Sequence, residues 1–169
     1  DTSMYVSIPI YTGVLLEAIH LGTSGFKELD GGGDTGFGRS EGLLKLRWNT
    51  DALEDVYHQF DVKAGVSREI SNETYLGLTD ADFEENPHRR YAASALDRMS
   101  NWRTQFTLGW SVVAWEDLEF RATLYRHDFR RSWKKFNGFT GGPSVAEVLD
   151  NPTGGIRALY HAILTGAEE

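Results

Sequence analysis

The chain has 169 residues, enough for a globular domain with a sizeable core, and its formal net charge is −8. Without cysteine it has no disulfide, thiolate ligand or cysteine nucleophile, and without a basic stripe its acidic charge argues against a nucleic-acid partner. No apolar run reaches the roughly 18 residues of a membrane helix, while eighteen glycines and many aromatic side chains favour an all-β fold.

Five segments have the alternation of a β-strand, and the connections between them alternate in length. The predicted strands are residues 14–21, 42–49, 56–70, 104–112 and 118–130, and residues 5–10 are a possible sixth, restricted by Pro9 to a sheet edge or a strand start. Tight turns are expected at residues 50–55 and 113–117, and long connections at 22–41, 71–103 and 131–169. This alternation is typical of an up-and-down outer-membrane barrel, with the turns in the periplasm and the long loops outside.

The third and fourth predicted strands each have one apolar and one polar side. The apolar side carries Val56, Phe60, Val62, Ala64 and Val66 on one strand, and Phe106, Leu108, Trp110 and Val112 on the other. Because side chains alternate across a strand, these residues are expected to form one continuous apolar face. In a soluble sandwich that face would meet a core, whereas in an outer-membrane barrel it would meet lipid.

Helical turns are predicted inside the long connections. Thr79 caps a short helix that ends near Asn86, and Ser144 with Glu147 has the spacing of a capping box. Apolar residues then recur at helical spacing from Ile156 to Leu164, with Gly166 as the C-terminal cap. This last helix has an apolar stripe that must pack against another part of the protein.

Charged and aromatic residues follow the same alternation. Each of three strands carries two charged residues on its polar side, which are Lys45 with Arg47, Asp61 with Lys63, and Glu119 with Arg121. They are either the solvated face of a soluble sheet or partners that pair between neighbouring strands across a polar lumen. Trp48 and Trp110 at strand ends, and the group of Tyr125, Phe129 and Trp133, suit the aromatic girdles of a membrane interface.

Catalytic, metal and phosphate sites have little support in the sequence. The glycine-rich run at residues 31–38 has no flanking strand and helix of a nucleotide loop, so a flexible loop is favoured. Glu28, Asp30 and Asp34 could offer oxygen ligands to a hard cation, but their spacing fits no calcium loop. The five histidines are scattered, and no nucleophile motif is present. We therefore expect no catalytic residue, no metal and no cofactor, and a protein that is not an enzyme.

Four motifs give the chain a resemblance to a known family. They lie at residues 28–37, 71–83, 86–94 and 125–129, and the run Asn-Glu-Thr-Tyr-Leu-Gly-Leu-Thr at 72–79 is the most specific of them. Together they resemble TonB-dependent outer-membrane receptors, closest to the branch of ferric-dicitrate and siderophore receptors. The resemblance covers about residues 13–169, and no plug domain is recognised in it.

The resemblance implies a bacterial outer-membrane receptor that takes up a ferric chelate without covalent chemistry. Its fold would be a 22-stranded transmembrane barrel, of which residues 1–169 would supply five or six antiparallel strands. Its partners would be the chelate, outer-membrane lipid and an inner-membrane TonB-type protein that acts through a plug. A soluble or surface β-domain that binds a partner through long loops is the alternative, and a complete small barrel is disfavoured by the strand count and the last helix.

The expected ligand site lies in the connection 71–103, since binding residues concentrate on long loops of a rigid scaffold. An anionic chelate calls for guanidinium forks and aromatic walls. Arg89, Arg90 and Tyr91 are the first candidates, with Asn72 and Tyr75 nearer the strand. The competing interpretation is that the two arginines only pair with Glu84 and Glu85 at the surface.

Overall fold

The computed structural model describes residues 2–8, 12–50, 55–115 and 118–168, with the backbone alone for 2–8. Its strands are β1 (Thr2–Ile8), β2 (Thr12–Thr23), β3 (Glu28–Leu29), β4 (Phe37–Asn49), β5 (Val56–Asn72), β6 (Arg89–Arg90), β7 (Arg98–Ala114) and β8 (Leu118–Lys134). Its helices are α1 (Asp80–Glu85), α2 (Val145–Asp150) and α3 (Ile156–Thr165), with a 3-10 turn at Ala92–Ser94. Parts of the two predicted tight turns and the end of the predicted opening strand lie outside the described residues.

Six of the strands form one antiparallel sheet in which sequence neighbours are also spatial neighbours. The order is β1-β2-β4-β5-β7-β8, and the register of β1 on β2 runs from Thr2 opposite Ala18 to Ile8 opposite Thr12. This is the up-and-down order that the alternating connections predicted. All five predicted strands are confirmed, and the sixth, β1, lies at a sheet edge as Pro9 required. The described sheet is open, with β1 and β8 as its edges.

The chain divides into two compact units. The first, which we call the strand unit, comprises Asp1–Leu21, Arg39–Glu69 and Asn101–Arg131. The second, which we call the loop unit, comprises Gly22–Gly38, Ile70–Ser100 and Ser132–Glu169. The three long connections of the sequence therefore come together in one folded body.

Burial is distributed unevenly between the two units. Among the described side chains of β2, β4, β5, β7 and β8, only Ala114 is buried. The buried apolar core lies in the loop unit, where Tyr91, Val148 and Leu164 pack together. Leu76, Leu78, Ala93, Phe136, Phe139, Leu149 and Tyr160 pack around these three. The sheet of the strand unit thus exposes apolar side chains, while the connections form a core of their own.

Local capping explains where the helices of the loop unit begin and end. The Thr79 hydroxyl accepts from the backbone of Asp82 to start α1, and Ser144 with Glu147 forms the predicted capping box of α2. Gly166 ends α3 in the left-handed conformation at φ 80°, which glycine adopts without steric cost. No helix in the described part of the chain is long and apolar enough to cross a membrane.

A short parallel ladder joins two of the connections inside the loop unit. Glu28 of β3 donates its backbone N–H to His88 at 2.8 Å, and Asp30 donates to Arg90 of β6 at 2.7 Å. Because these bonds connect residues sixty positions apart in sequence, they fix the two connections against each other. The ladder also sets the position of Arg89, whose side chain is described below.

Only part of the predicted apolar stripe of α3 is covered, since Leu164 is buried while Ile156 is 67% and Leu159 50% exposed. The buried Leu164 provides a first test. Leu164→Ala removes a fully buried side chain and should lower the local unfolding free energy of the loop unit by about 2–5 kcal/mol. Leu159→Ala is the matched control, because Leu159 lies on the same helix and is half exposed. Hydrogen exchange of the α3 amides measures the difference. Equal protection in the two variants would contradict this core.

Candidate functional site

The apolar side of the sheet is a surface, although its residues are those of a typical core. On β5 and β7, Val66 is 49% exposed and Phe106 40% exposed, and on β8 Leu124 is 65% exposed. Ala64, Val66 and Phe106 line one shallow apolar depression with Leu16 of β2 and Leu44 of β4. The predicted alternation of apolar and polar residues therefore holds on neighbouring strands. The apolar face that it creates is exposed in the strand unit.

An aromatic row crosses four neighbouring strands on this apolar face. The ring centroid of Trp48 lies 5.7 Å from that of Phe60, Phe60 stacks on Trp110 at 6.1 Å, and Trp110 meets Phe120 edge-on at 5.6 Å. Each ring belongs to the next strand of the order β4-β5-β7-β8, and each lies near a short connection. A row of this kind at one level is the geometry of an interfacial aromatic girdle.

The second aromatic group of the sequence analysis is placed differently. Tyr125 and Phe129 share the parity of Arg121 and Thr123, which line the polar side, and the Arg103 guanidinium lies 5.2 Å from the Phe129 ring. Strand alternation therefore puts these two rings on the polar side, opposite to the aromatic row. Their place in an interfacial girdle stays a prediction.

The polar side carries ion pairs within and between strands. Arg47 donates to Asp61 of the neighbouring strand at 2.6 Å, which is the predicted pairing between strands. Arg121 pairs with Glu119 of its own strand at 3.2 Å. These contacts are exposed and contribute little to stability by themselves, but they fix the polar character of the whole face.

A recess of about 690 Å³ opens on this polar face within the strand unit. Four cationic side chains and one carboxylate line it, which are Lys45, Arg47, Lys63, Arg121 and Asp61. The hydroxyls of Thr107, Ser111 and Thr123 add hydrogen-bond donors. In a chain of net charge −8, this recess is a local cationic region.

In the loop unit, Arg89 is the centre of a half-buried ion-pair network. Its guanidinium donates to Asp30 at 3.0 Å and to Asp82 at 2.7 Å. Its partners are these two carboxylates, and not the Glu84 and Glu85 of the competing interpretation. The forked donor geometry of arginine suits such a double contact, and it ties the connection 22–38 to the start of α1.

Tyr91 also belongs to this network of hydrogen bonds. It is 1% exposed, its hydroxyl donates to Asp82 and accepts from the backbone N–H of Thr79 at 3.0 Å, and His161 of α3 lies 3.4 Å away. Burial and the bond to Asp82 raise the pKa of Tyr91, so the hydroxyl remains a donor at neutral pH. Burial would raise the pKa of Asp82, but the bonds from Tyr91 and Thr79 and the charge of Arg89 outweigh it and hold that pKa below its usual value.

The other predicted ligand residues have different surroundings. Arg90 donates to the carbonyl oxygen of Pro87 at 2.9 Å, and the backbone of Asn72 donates to Gly36. Tyr75 is 43% exposed, with its ring 6.2 Å from the Trp133 ring and 6.0 Å from the Lys135 ammonium group. The structure therefore places Arg89 and Tyr91 in the scaffold of the loop unit and Tyr75 at its surface. Ligand binding by all five residues stays a prediction.

Sequence reasoning missed two neighbours of Tyr75. Trp133 lies at the end of β8, is 55% exposed, and joins Tyr75 and Lys135 in a surface group of two aromatic rings and a cation. The connections 71–103 and 131–169 each contribute to this group, so no single segment could reveal it. In the sequence, the only sign of this surface group is Trp133, an aromatic residue beside two lysines near the end of a predicted strand.

The carboxylates considered for a hard cation already have protein partners. Asp30 accepts from Arg89, Asp34 accepts from the backbone of Gly36 at 2.8 Å, and Glu28 accepts from Asn86 at 2.7 Å. Within residues 12–50, 55–115 and 118–168, no group of three histidine or acidic side chains is arranged to hold a metal ion.

Comparison with known proteins gives this site no precedent. No protein-family model matches the chain, and neither a curated protein nor a solved structure matches it. The two faces of the sheet and the folded connections are therefore the features from which a function can be inferred.

The Asp82 network generates a prediction with a defined pH dependence. Asp82→Asn should lower the stability of the loop unit by about 1–3 kcal/mol at pH 7, since a half-buried charge-assisted network loses its anion. Because the folded pKa lies below the unfolded value of about 3.9, the stabilisation is complete above that pH and lost as the pH falls through the folded pKa. The difference between the two proteins should thus be constant down to about pH 4 and shrink below it.

Limited proteolysis of the loop unit over this pH range measures the effect. Asp80→Asn is the matched control, because Asp80 is an exposed carboxylate on the same helix. If the Asp82→Asn variant resists proteolysis to the same extent as the Asp80→Asn variant, the network is not needed for the stability of the loop unit.

Proposed function

We propose that this chain forms part of the wall of a TonB-dependent outer-membrane receptor that takes up a ferric chelate. The observation that carries the proposal is a single sheet with an exposed apolar face bearing an aromatic row and an opposite face lined with ion pairs. A soluble β-protein covers the apolar face of its sheet with another layer. A transmembrane barrel leaves that face to lipid and keeps the polar face for its lumen.

Lengths and connections support the same proposal. The strands β4, β5, β7 and β8 have 13 to 17 residues, longer than the about 9–11 that a tilted strand needs to cross the hydrocarbon layer. The aromatic row lies near the short connections, and the long connections build the loop unit. We place the short connections in the periplasm and the loop unit outside the cell. Further strands from the same receptor would then satisfy the open edges β1 and β8.

The loop unit is the proposed site of chelate capture. A buried core and the Arg89 network give the connections a fixed shape, which is what a binding surface on long loops requires. Tyr75, Trp133 and Lys135 offer aromatic walls and a positive charge at its surface, and Arg90 and Asn72 are further candidates. Arg89 and Tyr91 would act by positioning this surface. Binding and passage involve no covalent step, and an inner-membrane TonB-type protein would supply the energy.

The assignment of the apolar face to lipid predicts different effects for two neighbouring residues of β5. Val66→Arg places a charge on the apolar face and should block insertion, because an arginine near the middle of the bilayer costs about 2–4 kcal/mol. Ser67→Arg is the matched control, because Ser67 lies on the polar face with Glu41 and Arg103. The amount of folded protein in outer-membrane fractions measures both. Equal recovery of the two variants, or release of the unchanged protein in soluble form, would favour the soluble partner-binding domain.

The capture surface gives a second test, made in the full-length receptor. Tyr75→Ala combined with Lys135→Ala should weaken ferric-citrate binding about tenfold, as it removes an aromatic wall and a charge. Arg98→Ala, at the exposed start of β7, is a control for a lost surface charge. Arg89→Ala should instead make the loop unit sensitive to protease. Unchanged ferric-citrate affinity of the Tyr75 and Lys135 variant at equal surface level would place the ligand elsewhere.

A further inference from the structure

The polar face contains two lysines that oppose each other on neighbouring strands. Three contacts fix how β4 lies on β5: the Thr50 backbone donates to His58 at 2.9 Å, Trp48 packs on Phe60, and Arg47 pairs with Asp61. Moving two residues further along each strand from the pair of Arg47 and Asp61 places Lys45 opposite Lys63. Both line the recess of the polar face, in agreement with this register.

The flanking strands bring no carboxylate to this row. The close approach of Gly13 to Arg47 and the bond between His20 and Ser40 place Leu15 of β2 beside Lys45. On the other side, the approach of Gly65 to Gln105 places Thr107 of β7 beside Lys63. The row across four strands is therefore Leu15, Lys45, Lys63 and Thr107, all of which line the recess.

The carboxylate that lines the recess, Asp61, is already engaged. One oxygen of Asp61 accepts from Arg47 at 2.6 Å and the other accepts from Gln59 at 2.6 Å, while Glu119 accepts from Arg121. In the part of the chain that the structure describes, neither lysine ammonium group lies within ion-pair distance of a carboxylate. Like charges directly opposite each other on paired strands destabilise a sheet, so this row lowers the stability of its own fold.

We propose that Lys45 and Lys63 bind a small anion that carries two or more carboxylate or phosphate groups. The recess of about 690 Å³ suits a small molecule, and its four cations exceed its single carboxylate. The hydroxyl of Thr107 lies in the same row and donates hydrogen bonds to such groups. An anion placed between the ammonium groups turns their repulsion into two attractions, which explains why the sheet keeps this pair.

This would be a second binding site for the ligand, located on the sheet and separate from the capture surface of the loop unit. Its role in transport rests on the function proposed above, because only a barrel makes the polar face a lumen wall. Anion binding itself depends on the recess alone. A polycarboxylate in the lumen would meet these lysines on the face where the strands carry their charges.

Calorimetric titration of the full-length protein in detergent, with iron-free citrate and with inorganic phosphate at low ionic strength, tests the site. Combining Lys45→Gln with Lys63→Gln should weaken binding of the preferred anion about tenfold or more, whereas Lys134→Gln, the same change at the end of β8, should leave it unchanged. The relative affinities for citrate and phosphate identify the chemical group. Salt should weaken binding, because exposed charges are screened over about 10 Å at 0.1 M.

Lys45→Glu separates anion binding from folding. This change converts the repulsive pair into an attractive one, so the variant should unfold at the same or a higher temperature and yet lose anion binding. If the double-glutamine variant binds citrate and phosphate as tightly as the unchanged protein does, the proposal is overturned. It is also overturned if the unchanged protein binds neither anion. Ferric-citrate uptake is measured separately. Anion binding without uptake would refute the proposed transport and keep the site, whereas uptake without anion binding would refute the site alone.

Discussion

The exposed apolar face of the sheet is the constraint on which the rest of the structure depends. A six-stranded sheet whose side chains include Trp48, Phe60, Val66 and Phe106 at the surface is unstable in water unless another apolar phase covers it. Ala114 is the only buried side chain among the described residues of the five strands β2, β4, β5, β7 and β8, so these five strands bury almost no core of their own. In the function proposed above, lipid is the cover of this face.

The loop unit solves a different physical problem. Long connections lose much conformational entropy when they become ordered, and they remain ordered only if they bury apolar surface or satisfy polar groups among themselves. Here Tyr91 does both, with its ring in the core beside Leu164 and its hydroxyl between Asp82 and Thr79. A fixed outer surface follows from this arrangement, and Tyr75 with Trp133 and Lys135 lies on it.

Charges on the two units therefore have different roles. In the loop unit, Arg89 is held by two carboxylates and is best understood as a structural residue. On the polar face of the strand unit, Lys45 and Lys63 have no such partners among the described residues, and their mutual repulsion is a cost that the proposed anion would offset. Arginine in a predicted ligand loop can thus support the fold, and the proposed anion site lies where charges are left unbalanced.

The sequence by itself determined the elements, because strand alternation, helix caps and turn lengths are local properties. It placed the five long strands, the cap at Thr79, the capping box of α2 and the left-handed end at Gly166, and it separated the apolar from the polar parity. Only the tertiary structure decided which distant residues meet. Arg89 pairs with Asp30 and Asp82, and Tyr75 meets Trp133, because a ladder and a shared core bring separate connections together. Lys45 opposes Lys63 because strand register, which no single segment encodes, sets the pairs across a sheet.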